Sequence, residues 1–309
     1  MKKLLSLLLV LLLLLCGCGA PTEPTITQPS QDTTPQETVA PWMTFPAERE
    51  LTATQYFVYD CQAQQFTVTS GDTGEKVYPA SITKLFSAYV AAQYLPKDKL
   101  ITAGDSLNLV VAGSSVAGLK KGDKLTVSQL IEAMMLPSGN DAAYVLAVEA
   151  GRVLAGKSAG TQAAVNAFVS EMNRQAKLLG MKNTNFANPD SIHKSNHYSS
   201  FDDLALLGML SLEDPVLLQY AGTANDTVTL TEGEVAWKNT NALIHPDSEY
   251  YCPYAIGLKT GQTPSAGSCL LSGFVTPERK LVIGVFQCEE TEDRFADTLY
   301  LLNQELGLQ

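Results

Sequence analysis

The sequence predicts an α+β domain, because strand-like segments stand at both ends of a helical middle. Residues 55–59 and 65–68 are rich in aromatic and β-branched side chains and are joined by a short polar turn, which is typical of two paired strands. From residue 81 to about residue 212, apolar residues recur mainly at helical spacing. Strand-like segments return after about residue 228.

Two helices in this middle part are well marked. The first runs from residue 81 to about residue 95 and follows Pro79, a residue often found just outside a helix. The second covers residues 165–179, and Gly180 is its stop signal. Each has apolar residues at helical period: Leu85, Tyr89 and Ala92 in the first, and Phe168, Val169, Met172 and Ala176 in the second.

The last part of the chain predicts three strands and a helix. Residues 254–258 have the character of an edge strand. Residues 270–275 and 281–286 flank a Thr-Pro-Glu-Arg-Lys turn and predict a hairpin. The closing helix carries Phe295, Leu299, Leu302 and Leu306.

Residues 1–18 have the organisation of a bacterial signal peptide. A basic head precedes an almost unbroken leucine segment over residues 4–15, which is short for a transmembrane helix. The residues before Cys18 look like a lipobox, so we expect Cys18 to carry two acyl chains that anchor the protein in the membrane. Cys16 is the weaker candidate, and an ordinary cleaved secretory signal is the alternative.

Residues 19–47 form a segment rich in Thr, Pro and Gln, with few large apolar residues before Trp42. Such a composition cannot bury enough surface to fold, so we expect a disordered tether. Residues 48–309 are long enough for one large domain. We therefore expect an exported domain, held on the outer face of the bacterial cytoplasmic membrane.

The charge of the chain argues against nucleic acid as a partner. Without Lys2 and Lys3, 19 basic residues stand against 32 acidic ones, a net charge of −13. Such a surface repels polyphosphates. No segment resembles a phosphate loop or a dinucleotide fingerprint. His193, His197 and His245 are too few and too poorly spaced for a metal site. We expect no metal and no cofactor, and we interpret these histidines as structural or solvated.

Four cysteines follow the leader: Cys61, Cys252, Cys269 and Cys288. An exported chain permits disulfides. If the last hairpin is symmetric about Glu278 and Arg279, Cys269 faces Cys288, and a cross-strand disulfide becomes a hypothesis. The alternative is that the cysteines are small buried apolar residues.

The tetrad Ser81-Ile82-Thr83-Lys84 opens the first predicted helix. Three residues are close to one helical turn, so Lys84 should lie on the same face as Ser81. A lysine amine accepts the proton of a serine only when it is neutral, and burial or a second cation, for which Lys259 is the candidate, lowers its pKa toward that state. The tetrad thus predicts a serine nucleophile with a lysine base. Alone, it would more often be an ordinary helix start.

Ser138-Gly139-Asn140 lies between two apolar stretches, where Pro137 and Gly139 predict a turn between helices. A hydroxyl and an amide at such a turn can relay a proton and hold a substrate amide. The alternative is a plain turn with Asn140 or Asp141 as a helix cap.

Lys259-Thr260-Gly261 follows the predicted edge strand. Lysine and threonine there can bind a substrate carboxylate, and Gly261 lets a ligand backbone approach closely. The alternative is a strand end with a surface lysine. The three motifs together, in this order, predict an acyl-transfer site.

With these motifs, the chain resembles the serine D-Ala-D-Ala carboxypeptidases, which are low-molecular-mass penicillin-binding proteins. The resemblance runs from about residue 50 to the C-terminus. Four segments look like the family's segments, in the family's order: VYPASITKLFSAYVA, LIEAMMLPSGNDAAYVLA, LGMKNTNFANPDSIHKSNHYSSFDDLALL and GLKTGQTPSAGSCLLSG. The implied fold is an antiparallel β-sheet flanked by helices beside an all-helical lobe, as in the penicillin-binding protein transpeptidases and β-lactamases, with the site between them.

The resemblance also implies roles for the site residues. Ser81 would be the nucleophile and Lys84 the general base, while Ser138 and Asn140 shuttle a proton and position the substrate. The substrate-binding residues would be Lys259 and Thr260, which hold a terminal carboxylate, together with Gly261 and Gln262. The backbone N–H groups of Ser81 and Gln262 would form the oxyanion hole.

Two residues depart from the family's pattern. Many members have His where this chain has Gln262. Because the implied contact is the backbone N–H, we expect this difference to adjust the catalytic rate more than the ability to catalyse. Ser191 in Asn188-Pro189-Asp190-Ser191 stands where Gly is common, which affects the expected geometry of that loop.

The resemblance implies a serine D,D-carboxypeptidase, which removes the terminal D-Ala from peptidoglycan stem pentapeptides through an acyl-enzyme on Ser81 and which β-lactams acylate. One alternative is a D,D-endopeptidase of peptidoglycan cross-links. Another, from a different class, is a non-catalytic sensor that binds muropeptides or penicillin. A serine β-lactamase is less favoured, because the NPDSI loop offers no obvious glutamate to activate a deacylating water.

Overall fold

The central element is a five-stranded antiparallel sheet that joins both ends of the domain. Its strands are β1 (Gln55–Asp60), β2 (Gln65–Thr69), β7 (Ala255–Thr263), β8 (Gly267–Val275) and β9 (Lys280–Cys288), in the order β2-β1-β9-β8-β7. The first strands therefore pair with the last hairpin, and β7 is an edge strand. The predicted α+β class is confirmed.

The computed structural model describes residues 49–308. The predicted signal peptide, the lipidation site at Cys18 and the whole of the predicted tether lie outside the described residues, so those expectations stay predictions.

Most of the remaining described elements are helices, which lie between β2 and β7 except for the last one. They are α1 (Thr83–Tyr94), α2 (Val127–Met135), α3 (Asn140–Ala155), α4 (Thr161–Leu178), α5 (Phe201–Glu213), α6 (Pro215–Gly222) and α7 (Asp293–Leu306). Two small hairpins accompany them: β3 (Leu100–Thr102) with β4 (Lys124–Thr126), and β5 (Asn225–Leu230) with β6 (Gly233–Lys238).

Within residues 49–308, no single helix is both long enough and apolar enough to cross a bilayer. Helices α5 and α6 meet these criteria only when taken together, and they are bent by 91° where they meet.

Helix α4 begins at Thr161, four residues before its predicted start. Residues 161–164 show no apolar period, so the sequence pattern could not mark them, although Gly160 serves as the cap in extended conformation. The predicted end is confirmed, because Gly180 follows the helix with a φ of +88°, in the left-handed region that glycine adopts without strain.

The sheet has an apolar core on each face. Alternate residues point to opposite faces of a strand, and accordingly Phe57 and Val282 belong to the core shared with the helical part, whereas Val58 and Ile283 belong to the core under α7. Helix α7 covers that second face with Phe295, Leu299 and Leu302, as its predicted apolar stripe requires. The sheet is thus buried on both sides, which holds β7 in a fixed position beside the helical part.

The disulfide hypothesis is wrong, because all four described cysteines are free thiols. The last hairpin pairs Phe274 with Leu281, so its turn is centred one residue earlier than predicted, and a bulge then places Ser268 opposite Cys288. Cys269 instead lies opposite Gly261 of β7. Cys252, Cys269 and Cys288 are buried, which agrees with the alternative interpretation as small core residues.

Candidate active site

Ser81 lies in a single 3₁₀ turn, Ala80–Ile82, that leads into α1, and not in the first turn of the α-helix as the sequence predicts. Lys84 lies one turn further along and is fully buried. Its Nζ donates a hydrogen bond of 2.8 Å to Ser81 Oγ. The structure therefore places the predicted base in contact with the predicted nucleophile.

Ser138 joins this pair from the turn between α2 and α3. Lys84 Nζ lies 3.2 Å from Ser138 Oγ, to which it donates a second hydrogen bond. Asn140 is the first residue of α3, and its buried Oδ1 has no hydrogen-bond partner in the described part of the chain. A buried acceptor without a partner is costly unless a ligand satisfies it.

The turn depends on a close backbone approach at Gly139. A Cβ there would lie 2.5 Å from Ala133 O and 2.9 Å from Ala117 Cβ, so no larger residue fits. Asp141 holds the facing loop, because its carboxylate accepts hydrogen bonds from the N–H groups of Ala117, Gly118 and Leu119 at 2.9–3.0 Å. The sequence analysis considered Asp141 only as a helix cap.

Lys259 and Thr260 lie in the middle of β7, because this edge strand continues to Thr263, beyond the predicted strand of residues 254–258. Lys259 is 1% exposed, and its Nζ donates to Thr260 O at 3.1 Å and more weakly to Thr260 Oγ1 at 3.4 Å. Thr260 Oγ1 also shares a 2.5 Å hydrogen bond with Thr240 Oγ1, a contact that no sequence pattern signalled.

Gly261 brings β7 against the Ser81 turn. A Cβ at Gly261 would lie 2.8 Å from Ala80 Cβ and 3.0 Å from both Pro79 O and Ser81 N, so a side chain would push the strand away. Arg294 of α7 supports this segment by donating to Gly261 O at 3.4 Å. Strand β7 and the 3₁₀ turn that carries Ser81 therefore pack directly against each other.

A cleft of about 460 Å³ opens over these residues. It is lined by Ser81, Asn140, Gln262, Thr263 and Pro264, by the loop of Val111, Ala112, Gly113, Ser114 and Ser115, and by Asp190, Ser191 and Ile192. A larger cleft of about 570 Å³ around His245 and Tyr250 contains none of the predicted site residues. The candidate site is therefore identified by the side chains that line its cleft, and not by the volume of the cleft.

Burial sets the electrostatics of the two lysines. Burial lowers the pKa of Lys84 to about 8, although the charges of Asp190 and Asp141 act in the opposite direction. The pKa of Lys259 is lowered well below its ordinary value, first by burial and then by the charges of Lys84 and Arg294. Of the two causes predicted for Lys84, burial is the one that lowers its pKa, and Lys259 is not among the charges that act on it.

Asp190 is a site residue that the sequence analysis missed. It is 1% exposed and lines the same cleft as Ser81, yet neither carboxylate oxygen has a hydrogen-bond partner in the described part of the chain. In the NPDSI loop, where a glutamate would have indicated a β-lactamase, the available signal was this shorter acid next to Pro189.

Side-chain hydrogen bonds hold the loop that carries Asp190, in which Ser191 departs from the family's pattern. Ser191 adopts a φ of +74°, in the region that favours glycine. Asn188 holds the turn, because its Oδ1 accepts from Ser191 N at 2.7 Å and its Nδ2 donates to Ile192 O at 2.7 Å.

Two of the histidines are buried structural residues. His197 Nδ1 accepts from Ala187 N–H at 3.1 Å, and its Nε2 lies 2.8 Å from Thr83 Oγ1. Burial lowers the pKa of His197 to about 4, so the ring is neutral at pH 7. His245 Nε2 lies 2.7 Å from Asn239 O. Neither lines the cleft that contains Ser81.

Residues 42–289 match the family described as D-alanyl-D-alanine carboxypeptidase, Peptidase_S11. The D-alanyl-D-alanine carboxypeptidase of Streptomyces sp. strain K15 is 37% identical over 243 residues, which cover 74% of this chain and 78% of that protein. DacF of Bacillus subtilis, a D-alanyl-D-alanine carboxypeptidase, is 29% identical over 237 residues, which cover 75% of this chain and 57% of DacF. The chain spans about half the length of DacF and of several other curated relatives.

The fold is also similar to solved structures. The crystal structure of the Streptomyces K15 DD-transpeptidase superposes with a TM-score of 0.75 at 27% identity, over 84% of this chain and 99% of that one. The sheet flanked by helices and the helical part beside it are therefore those of this structural group.

Proposed function

This chain belongs to the D-alanyl-D-alanine carboxypeptidase family, and we propose that it removes the terminal D-Ala from peptidoglycan stem pentapeptides with Ser81 as its nucleophile. The observation that carries the proposal is the 2.8 Å hydrogen bond between the buried Lys84 Nζ and Ser81 Oγ. With a pKa of about 8, Lys84 is partly neutral near pH 7 and can accept the serine proton.

In the acylation step, Lys84 takes the proton of Ser81, and Oγ attacks the carbonyl carbon between the two D-Ala residues. The backbone N–H groups of Ser81 and Gln262 would face the developing oxyanion. The C–N bond then breaks, the proton passes from Lys84 through Ser138 to the leaving amine, and D-Ala departs. The hydrogen bond between Lys84 and Ser138 supports this relay.

Substrate binding would use the polar groups around the cleft. The unpartnered Oδ1 of Asn140 can accept a hydrogen bond from a substrate amide N–H. Lys259 and Thr260 would bind the terminal carboxylate. The lowered pKa of Lys259 follows from burial near two cations, and an incoming carboxylate would restore its charge.

The same acyl-enzyme can react with other acceptors. The relative from Streptomyces K15 bears the name DD-transpeptidase in its crystal structure, and transfer to an amine needs the same Ser81 ester as hydrolysis. A D,D-endopeptidase would cut a cross-link through that ester too. The buried Lys84 in contact with Ser81 argues against a sensor without catalysis.

A fluorescent penicillin tests the nucleophile. We expect one label per chain, located on Ser81 by peptide mass mapping and lost in Ser81→Ala. Ser114→Ala, which removes another serine hydroxyl that lines the cleft, is the matched control and should still be labelled. Labelling elsewhere, or persistent labelling of Ser81→Ala, would refute the assignment.

The cellular place of the enzyme is proposed from the sequence alone. A lipid on Cys18 would hold the domain at the outer face of the cytoplasmic membrane, where its peptidoglycan substrate lies. Metabolic labelling with a radioactive fatty acid should mark the wild-type chain and not Cys18→Ala. Equal labelling of both chains would reject Cys18 as the anchor.

A further inference from the structure

Asp190 is a buried carboxylate at the edge of the Ser81 cleft. Both of its oxygen atoms are shielded from solvent, and neither forms a hydrogen bond of 3.5 Å or less with good geometry in the described part of the chain. The Tyr144 hydroxyl and the Ile192 N–H lie near enough to favour its charge and satisfy it only in part. Removing a carboxylate from water without compensating hydrogen bonds costs several kcal/mol. A fold keeps such a group where a ligand or a reacting water completes its contacts.

The charge of this carboxylate reaches the proposed base, Lys84. The negative charge of Asp190 acts on Lys84 of α1 and on Tyr144 of α3. Burial raises the pKa of Asp190 above its ordinary value, while Lys84, the Ile192 N–H and the Tyr144 hydroxyl partly oppose this shift. A carboxylate with a raised pKa is a better proton acceptor than an ordinary one.

The loop fixes Asp190 relative to the nucleophile. Ser87 of α1 donates a 2.7 Å hydrogen bond to Pro189 O, so the loop is attached to the helix that carries Lys84. Asn188 closes the same loop from within. Asp190 is therefore held at a set place in the cleft and is not a mobile surface acid.

We propose that Asp190 accepts the proton of the water that hydrolyses the acyl-enzyme on Ser81. The inference rests on the proposed function, since it needs that ester. It adds a base for the second half of the reaction, which the mechanism above leaves without one of its own.

The step balances in atoms and protons. The water oxygen attacks the ester carbonyl carbon, and the water proton passes to the Asp190 carboxylate. The tetrahedral intermediate collapses with cleavage of the bond between carbon and Ser81 Oγ. The proton moves from Asp190 through Lys84 to Oγ, which restores the free serine, the neutral lysine and the ionised Asp190. The shortened peptide leaves as an acid.

A competing role for Asp190 is to influence Lys84 alone. In that case, loss of the charge would change acylation as much as deacylation, because Lys84 is the base in acylation. A deacylation base would instead affect only the second step. The two steps must therefore be measured separately.

The experiment compares full-length wild type, Asp190→Asn and Asp202→Asn in detergent, with a fluorescent penicillin as the probe. Asp202→Asn removes one exposed acid from α5 and controls for net charge. We expect Asp190→Asn to be acylated within about 3-fold of the wild-type rate and to lose its label at least about 100-fold more slowly, the usual range for removal of a general base. The control should resemble wild type in both steps.

Label loss from Asp190→Asn at the wild-type rate would overturn the inference, and equal slowing of both steps would assign Asp190 to Lys84 instead. If Asp190→Asn does not fold, the pH profile of wild-type deacylation decides. The ionisable side chains that act on Asp190 are Lys84 and Tyr144. Deacylation with Asp190 as the base should not follow the titration of Lys84, whereas a decline below about pH 8 that parallels acylation would make Lys84 the base. Failure of wild type to be labelled at all would reject the proposed function itself.

Discussion

At the scale of single residues, the site contains groups that are unfavourable for folding. Lys84 and Lys259 are fully buried, and neither forms an ion pair within 4.0 Å in the described residues. Burial disfavours the charged form of lysine. The same burial that costs stability makes Lys84 a usable base, because it lowers the pKa of the ammonium toward neutrality.

The pKa of Lys84 predicts the pH dependence of acylation. The reactive form is the neutral amine, so the second-order rate of penicillin acylation should rise as pH increases from 6 and level off above the pKa of about 8. Stopped-flow acylation measured from pH 6 to pH 10 checks this. A rate that is constant over that range would show that Lys84 is not the titrating base.

Backbone strain also collects beside the site residues. Six described residues other than glycine have a positive φ, and Gln64 and Gln287 lie away from the site. The other four are Ala80, Ser138, Ser191 and Leu258, with φ values of +45°, +63°, +74° and +82°. Each one is a site residue or precedes or follows one in the chain. Strained residues of this kind cluster at functional sites, where the surrounding structure imposes them.

Ser191→Gly should relieve one of these strains. A left-handed conformation costs an L-residue about 1–2 kcal/mol, and glycine regains most of this, so we expect a gain of up to about 1 kcal/mol in the free energy of unfolding. Ser191→Ala is the control, because it removes the hydroxyl and keeps the strain. Equal unfolding midpoints in denaturant for the two variants would mean that the strain is not the determining factor.

At the scale of elements, sequence patterns predicted which segments form helices and strands better than where they begin. The apolar stripe of α7 follows from side-chain period alone. Helix α1 is instead buried on nearly every side, and Tyr89 and Ala92 of its predicted stripe are only half-buried. The 3₁₀ turn at Ser81 and the full length of β7 do not follow from side-chain period, because they depend on the close packing of Gly261 against Ala80, between residues 181 positions apart. The predicted register of the last hairpin was wrong for a similar reason, since a β-bulge leaves no sequence signal.

A contact between α2 and β5 predicts a pH-dependent stability. Burial and a carboxyl pair with Asp226 raise the pKa of Glu132 to about 7. The folded state therefore binds a proton that the unfolded state releases, and this stabilisation is full below about pH 4.5 and is lost as pH rises through about 7.

Glu132→Gln should remove this dependence. The free energy of unfolding of the variant minus that of wild type should be larger at pH 8 than at pH 5. Chemical unfolding at the two pH values measures the difference. An unchanged difference between variant and wild type would show that the Glu132–Asp226 pair does not titrate in this window.

At the scale of the whole molecule, the site is assembled from three distant parts of the chain. The turn before α1, the turn before α3 and strand β7 meet because the sheet joins the first and last strands of the described residues and leaves β7 at its edge. The three motifs were recognisable in the sequence because each has a characteristic residue pattern. The hydrogen bond of Thr240 to Thr260, the support of Gly261 by Arg294 and the unpaired Asp190 required the tertiary structure, because single residues in ordinary contexts give no pattern.

Hydrolysis of a D-Ala-D-Ala bond by Ser81 is the reaction that defines the proposed enzyme. The most direct measurement is release of free D-Ala from a pentapeptide that ends in D-Ala-D-Ala, by the full-length chain and by Ser81→Ala. We expect release by wild type and none by the variant. Absence of release by a wild type that still binds penicillin covalently at Ser81 would contradict carboxypeptidase activity, and release by Ser81→Ala would contradict the nucleophile.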